Sequence, residues 1–503
     1  MIYRAMKFCL LFLLMPFIGA STLFAQDAPV KVQVHWDQIL RVSKTNPSLL
    51  FVATPKTRRG APLHDSIFRA LGDLKGDDVR YAPSKLYPHF AVAELKPPTK
   101  TETFWDFSQA EPITEEVMDT LKGQPLVLKF SAIPAWMFKT VRPVDYPADP
   151  DLPAYDYGQG KELRDPTFHE VADYFARVVS WHVNGGFTDE LGKWHESGHH
   201  YKVDYWEVLN EPDIEHGFSQ GTYTKIYDAV VEAVRKVAPQ MKFVGIASSY
   251  PGGQPKFFDY FLDPRHHKPG IPLNMISYHF YAVPGADEPL DVHPFTFFDQ
   301  ADRFLEVVGF IETIRQRLSP TTGTMINEIG TMMPEDWSQG EPGYLYKPVP
   351  SSYWNLSAAV YAYVFAGLAR MGIDAANEAM LPAYPGRFPS IAMLDWDTGK
   401  PNARFLVLKL IHDNFPPGDK IVDTQSSTGN VFAQAFVSPR GERKILLVNK
   451  RNREFHLVLP EAAGGTIQAV DQSTGEDLPV SGPIDGRPID LPGLAVAVVT
   501  LTK

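Results

Sequence analysis

Residues 203–212 read VDYWEVLNEP, an apolar, β-rich run that ends in an amide, an acid and a proline. Proline cannot donate to a sheet ladder, so the strand should stop at Pro212. Asn210 and Glu211 are then left at its C-terminal tip. In α/β barrels that tip is where the chemistry sits. The same three residues are ordinary turn formers, so their meaning depends on the rest of the chain.

Seven more apolar, strand-like runs occur: Leu50–Pro55, Val79–Pro83, Leu126–Pro134, Met241–Ser248, Met275–Ala282, Thr324–Thr331 and Gly372–Met380. Amphipathic stretches lie between several of them. In Thr222–Ala238, Ile226, Val230, Val234 and Val237 recur at helical spacing, and Pro239 ends the run. Strand–helix alternation repeated eight times predicts an α/β fold, a (β/α)8 TIM barrel, over residues 48–415. A doubly wound open sheet is the alternative, but the glycine-rich first turn it usually carries is missing. Pro416-Pro417-Gly418-Asp419 then breaks the pattern, and residues 416–503 show short alternating runs such as VFAQAFV, KILLVN and LAVAVVTL. STGN, SPRGE and DGRP separate them, as expected of an accessory all-β sandwich. Residues 26–47 contain VKVQVHW, which also alternates and suits a strand of the same sandwich.

The chain has 503 residues, enough for a large barrel plus an appendage. Its net charge is −11 and it has no basic run, which argues against nucleic acid as a partner. Arg4 and Lys7 precede an apolar run from Leu10 to Ala20, and STLFAQ follows. This pattern predicts a secretory signal over residues 1–25, cleaved after Ala25 and leaving no membrane anchor. The single cysteine, Cys9, falls inside it. The mature chain then has no disulfide and no thiolate, which suits export to a bacterial periplasm or exterior.

TMINEIGT (324–331) places Asn327 and Glu328 near the end of the seventh run, as EVLNEP places Glu211 at the end of the fourth. In a closed eight-stranded barrel these ends meet over one mouth. Two carboxyl groups there suit retaining glycoside hydrolysis. One gives a proton to the leaving oxygen while the other attacks the anomeric carbon, and they stand about 5–5.5 Å apart. That chemistry needs no metal and no organic cofactor.

YWEVLNEP, SYHFYA and INEIGT, in this order, resemble the clan of barrel glycosidases with catalytic glutamates on strands four and seven. Within it the chain is most similar to glycoside hydrolase family 39, the β-xylosidase and α-L-iduronidase family. The resemblance runs over most of the chain. It implies that Glu211 is the acid/base and Glu328 the nucleophile, with Asn210 on the sugar 2-hydroxyl. It also implies that His279 and Tyr281 flank the nucleophile and that Arg80 hydrogen-bonds it. The chain departs from that family after Arg80, where Tyr81-Ala82-Pro83 replace an expected histidine, and at the nucleophile, where Asn-Glu-Ile replaces Thr-Glu-Trp. These departures bear on the substrate. The resulting expectation is a β-xylosidase-like enzyme acting on an oligo- or polysaccharide. The alternatives are an iduronidase-like enzyme, a polysaccharide endo-hydrolase and a non-catalytic carbohydrate-binding protein. No oligomeric state follows.

Trp105, Trp136, Trp337 and Trp396 are candidates for stacking on sugar rings, core packing being the alternative for each. Trp136 and Trp396 are favoured by their places after strands three and eight. Glu378, in ANEAM, is a further acid expected near the mouth, to bind substrate or to pair with a base. Lys129, in LVLKFS, suits a sugar carboxylate or an ion pair inside the barrel. Asp213, Glu215 and the pair His266-His267 read as loop residues. HESGH (195–199) matches the HExxH zinc pattern formally, but Ser197 and Gly198 are poor helix formers and a strand follows closely, so a polar loop is expected.

Overall fold

The computed structural model describes residues 28–154, 160–338, 348–382 and 388–502. The proposed signal segment, residues 1–25, lies outside them. Eight parallel strands close into a barrel. They are β1 (Asn46–Ala53), β2 (Val79–Pro83), β3 (Leu126–Leu128), β4 (Tyr205–Glu207), β5 (Lys242–Ser248), β6 (Met275–Ala282), β7 (Gly323–Thr331) and β8 (Ala375–Leu381). A helix follows each: α1 (His64–Leu74), α2 (Glu111–Thr120), α3 (His169–Val183), α4 (Gln220–Val237), α5 (Pro255–Phe261), α6 (His293–Leu318), α7 (Ser351–Met371) and α8 (Ala403–Asn414).

Several strands are shorter than the apolar runs predict. Only Leu126–Leu128 of the third run and Tyr205–Glu207 of the fourth make strand. In the fourth, Leu209 and Glu211 have φ of 66° and 39°, which breaks the ladder before Pro212. Gly372, expected to open the eighth strand, instead caps α7 in the left-handed conformation at φ 78°.

Inward residues alternate with outward ones, as the pleat requires. Val127, Val244, Met275, Met325 and Ala375, with Tyr205, form a small apolar cluster near the starts of their strands. The next inward positions are polar: Arg80 on β2, Glu207 on β4, Ser277 on β6 and Asn327 on β7. All four are buried. Their outward neighbours Tyr81, Trp206, Tyr278 and Ile326 pack into the main core under the helices.

The accessory domain is one nine-stranded sheet that curls around its own core rather than two separate sheets. The N-terminal strand Val30–Val42 enters its middle. It pairs antiparallel with Lys420–Ser426 and parallel with Phe455–Val458. Val30 and Val32 pack with Val422, Ala433, Leu457 and Leu491. The other face of the sheet joins the barrel's core, with Phe436 4.4 Å from Phe415 at the end of α8.

Candidate active site

The polar layer inside the barrel is built around Arg80, whose guanidinium is fully buried and bonded through each of its three nitrogens. Its Nε donates to Glu207 at 2.6 Å, one terminal nitrogen to Glu328 at 2.5 Å and the other to Asn210 at 2.7 Å. Glu207 also accepts from Ser277 at 2.9 Å and from Asn327 at 2.6 Å. A side chain held by these three donors is fixed in place and aims the arginine fork. Glu207 and Ser277 were not singled out in the sequence, and Asn327 was named only for its place beside Glu328. The available signal was the alternation of Tyr205 and Glu207, which puts an acid on an inward barrel position.

Glu328 lies one residue from inward-facing Asn327, so a regular strand would turn it outward. Instead β7 shifts register between Ile326 and Glu328 against β6, and between Ile326 and Ile329 against β8. The irregularity brings Asn327 and Glu328 to the same side. Ser277, His279 and Tyr281 need no such device, since they are alternate residues of β6. Tyr281 donates its hydroxyl to Glu328 at 2.7 Å. His279 lies between the two glutamates, with Nδ1 3.0 Å from Glu211 and Nε2 3.6 Å from Glu328.

Glu211 reaches the mouth through the turn that ends β4. Its amide donates to the Ala247 carbonyl at 3.0 Å. Ala247 and Ile246 also take positive φ, 49° and 82°. The turn after β4 and the irregular end of β5, which shifts register between Ile246 and Ser248, thus adopt together conformations that non-glycine residues rarely take. One oxygen of Glu211, one of Glu328 and a nitrogen of His279 lie within 4.8 Å of one another.

Asn210 is oriented from both ends. Its oxygen accepts from Arg80, and its nitrogen donates to Glu215 at 2.7 Å. Glu215 pairs with Lys85 at 2.7 Å. It is therefore part of the site rather than a loop charge. Asp213 likewise anchors the turn, accepting from the hydroxyls of Ser248 at 3.1 Å and Ser249 at 2.9 Å.

Burial alone would raise the Glu328 carboxyl. The His279 and Arg80 charges, with Lys129 and the Tyr281 hydroxyl, outweigh it and hold Glu328 well below the usual carboxylate range. Burial would lower His279, but Glu328 and Glu211 raise it instead. Burial and the repulsion of Arg80 bring the Lys129 amine down to about 8. Glu211, His279 and Glu328 together form a donor set of the kind divalent metals use. The Arg80 and Lys129 charges beside Glu328 oppose a divalent cation there.

The remaining candidates are more scattered. Of the two readings open for Glu378, the ion pair is present: it is fully buried against Arg404 at 3.0 Å, and burial pushes it up to about 8 despite that partner. Trp136 donates its indole NH to the Glu94 carbonyl at 2.9 Å and lines a cleft of about 770 Å³ with Arg164 over its ring. Trp396 is half-buried and packs against the cluster of Met332, Ile391 and Ala392. Trp105 stacks on Tyr174 and Phe107 in the core. The Trp337 side chain lies outside the described residues. His195 and His199 of HESGH bond different acids, Asp189 at 2.8 Å and Glu111 at 2.5 Å, from a short strand and a loop. His267 is buried against Asp228 at 2.6 Å, not solvated, because the loop folds back over α4.

Solved structures match this architecture over nearly the whole chain. A GH51 arabinofuranosidase from Xanthomonas axonopodis pv. citri aligns at 12% identity and a TM-score of 0.64, covering 94% of this chain and 100% of its own. A glucosidase from Croceicoccus marinus aligns at 15% and 0.59, covering 95% and 100%. A GH30 endoxylanase from Clostridium papyrosolvens C71 aligns at 12% and 0.56, also covering 95% and 100%. The chain shares its fold with barrel glycoside hydrolases. No family model and no curated protein matches its sequence.

Proposed function

We propose that the chain is a retaining glycoside hydrolase. One observation carries this reading: two glutamates at one barrel mouth, with an oxygen of each within 4.8 Å of the other. An inverting enzyme keeps its carboxyls about 6.5–9.5 Å apart to admit a water between them. Glu328, held low and bonded by Arg80 and Tyr281, has the character of a nucleophile. In the first step it attacks the anomeric carbon while Glu211 gives its proton to the departing oxygen. In the second, Glu211 takes a proton from water, which attacks the same carbon and frees Glu328. The resemblance assigns the sugar 2-hydroxyl to Asn210, and the fixing of its amide by Arg80 and Glu215 supports that role.

The finer reading is an exported, β-xylosidase-like enzyme on plant or microbial glycans. It rests on the sequence resemblance and on the N-terminal pattern. The neighbouring structures' names, an arabinofuranosidase, a glucosidase and an endoxylanase, set the first substrates to try. The test is hydrolysis of aryl xylosides, arabinofuranosides and glucosides, with proton NMR of the first sugar released. Retention of the anomeric configuration is expected, with Glu328→Ala and Glu211→Ala reduced by at least a thousandfold on unactivated substrates. An inverted product, or an active Glu328→Ala, would sink the proposal.

A further inference from the structure

Lys129 is the first residue past β3. Its amide donates to the Tyr81 carbonyl at 2.9 Å, so the ladder with β2 runs one step beyond Leu128. Alternation from inward-facing Val127 then turns its side chain into the barrel. The residue is only 8% exposed. Arg80, Glu215, Glu328 and Glu207 are near enough to act on its charge.

Those neighbours are already taken. Arg80 holds Glu207 and Glu328, and Lys85 holds Glu215. Among the described residues the Lys129 amine makes no hydrogen bond and no ion pair. Yet it is not sealed in. The amine keeps surface of its own, unlike closed-off polar atoms of the wall such as Glu378 Oε2 and Asn327 Oδ1. The apolar cluster around Val127 closes the barrel below, so that surface opens toward the mouth. A nearly buried ammonium is costly unless it finds acceptors. An open, unpaired one beside the nucleophile therefore points to an acceptor that arrives with the substrate. The amine stands at about 8, so it is mostly charged at neutral pH and is a strong donor.

The charges already present decide what that acceptor is. Arg80, Lys85 and Lys129 stand against the carboxylates of Glu207, Glu215 and Glu328. Glu211 and His279, in contact at 3.0 Å, balance with one proton between them. The pocket is thus even. A sugar carboxylate would unbalance it, and a hydroxyl would not. We infer that Lys129 binds the 3-hydroxyl of an uncharged sugar, the ring whose glycosidic bond is cleaved, and selects for that hydroxyl. The inference rests on the retaining-glycosidase reading. The position on the ring follows from Asn210, to which the resemblance assigns the 2-hydroxyl. Asn210 follows the neighbouring strand β4 and shares Arg80 and Glu215 with Lys129. The adjoining hydroxyl of the ring then falls to the adjoining side chain.

The test uses the 4-nitrophenyl xyloside, arabinofuranoside or glucoside that the full chain cleaves best. Its 2-deoxy and 3-deoxy analogues and the 4-nitrophenyl glucuronide are compared on wild type, Lys129→Met and Lys129→Gln. The wild type should lose about 10- to 100-fold in kcat/KM when the 3-hydroxyl is removed, and Lys129→Met only about twofold. Lys129→Gln, which keeps a neutral donor, should fall between them. Removing the 2-hydroxyl should weaken all three proteins alike. Each ratio compares two substrates within one protein. A smaller folded fraction, or a shifted Glu328 carboxyl, acts on both substrates and leaves the ratio unmoved. Equal 3-deoxy losses in wild type and Lys129→Met would overturn the inference and leave the glycosidase reading standing. So would a wild-type preference for the glucuronide that Lys129→Gln loses, which would give the amine to a carboxylate. If no glycoside is cleaved, the glycosidase reading fails, and calorimetry with xylose, arabinose, glucose and their 3-deoxy forms decides. Binding weakened by loss of the 3-hydroxyl in wild type but not in Lys129→Met supports the contact, and no such difference overturns it.

Discussion

Glu328 is the residue on which the proposed chemistry turns, and its neighbours set its protonation. Tyr281→Phe removes one hydrogen bond to a charged group, worth about 1.5–3 kcal/mol, so kcat/KM should fall about 10- to 100-fold with the fold intact. Circular dichroism beside the kinetics separates the two. His279→Asn removes the leading charge that opposes burial at Glu328, so the acid limb of kcat/KM should move toward neutral pH. The stability signs follow. Glu328 is depressed, so its pairs stabilise fully above the unfolded carboxyl value of about 4.3 and are lost as pH falls through the folded one. His279 is raised, so its contribution is full below about 6.5 and is lost as pH rises through its folded value. Denaturant midpoints measured from pH 3 to pH 9 would show whether the acid-side loss moves to higher pH in His279→Asn. At this scale the sequence was readable where residues alternate, as for His279 and Tyr281. It was not readable where a contact depends on a distant partner. Glu378 could bind substrate or pair with a base as far as its own stretch tells, and its partner Arg404 lies 26 positions on.

Elements were legible by type and in their order, because hydrophobic periodicity reports which face is buried. Their ends were not. The positive φ values fall on Leu209, Glu211, Ile246 and Ala247 themselves, none of them a glycine or asparagine, and the β7 register shift at Asn327 carries no glycine. These are imposed by tertiary contacts: Tyr223, for example, accepts from the Ile246 amide at 2.6 Å and donates to the Val208 carbonyl at 3.0 Å. One glycine in β5 has a packing role of its own. A Cβ on Gly245 would lie 2.5 Å from the Phe261 ring and 3.2 Å from Tyr227. Both rings are fully buried between β5 and its helices. Gly245→Ala should therefore cost about 1–3 kcal/mol by overpacking, read as a lower urea midpoint at unchanged slope. An unchanged midpoint would mean that α5 moves away freely.

For the whole molecule, the barrel and an all-β appendage were legible from the change in pattern at Pro416, while the curl of the sheet was not. Its core is assembled from strands whose partners are far apart in the chain, which local periodicity does not encode. The strand Val30–Val42 shows the consequence most clearly. Removing residues 28–42 would bare the backbone edges of Lys420–Ser426 and Phe455–Val458, and open sheet edges invite pairing between molecules. Size-exclusion chromatography of that truncation should show aggregates, and a monodisperse, active product would contradict this. The same arrangement also sets a timetable. The Lys31 amide bonds Ser427, 396 positions later. At about 5–20 residues per second, a ribosome takes roughly 20–80 s to deliver the second partner after the first has emerged. During that interval the opening strand is a solitary ribbon, and the barrel has time to close between the two halves of a sheet that does not yet exist. Nascent chains stalled before residue 420 should then hold a protease-resistant barrel and a freely clipped N-terminus.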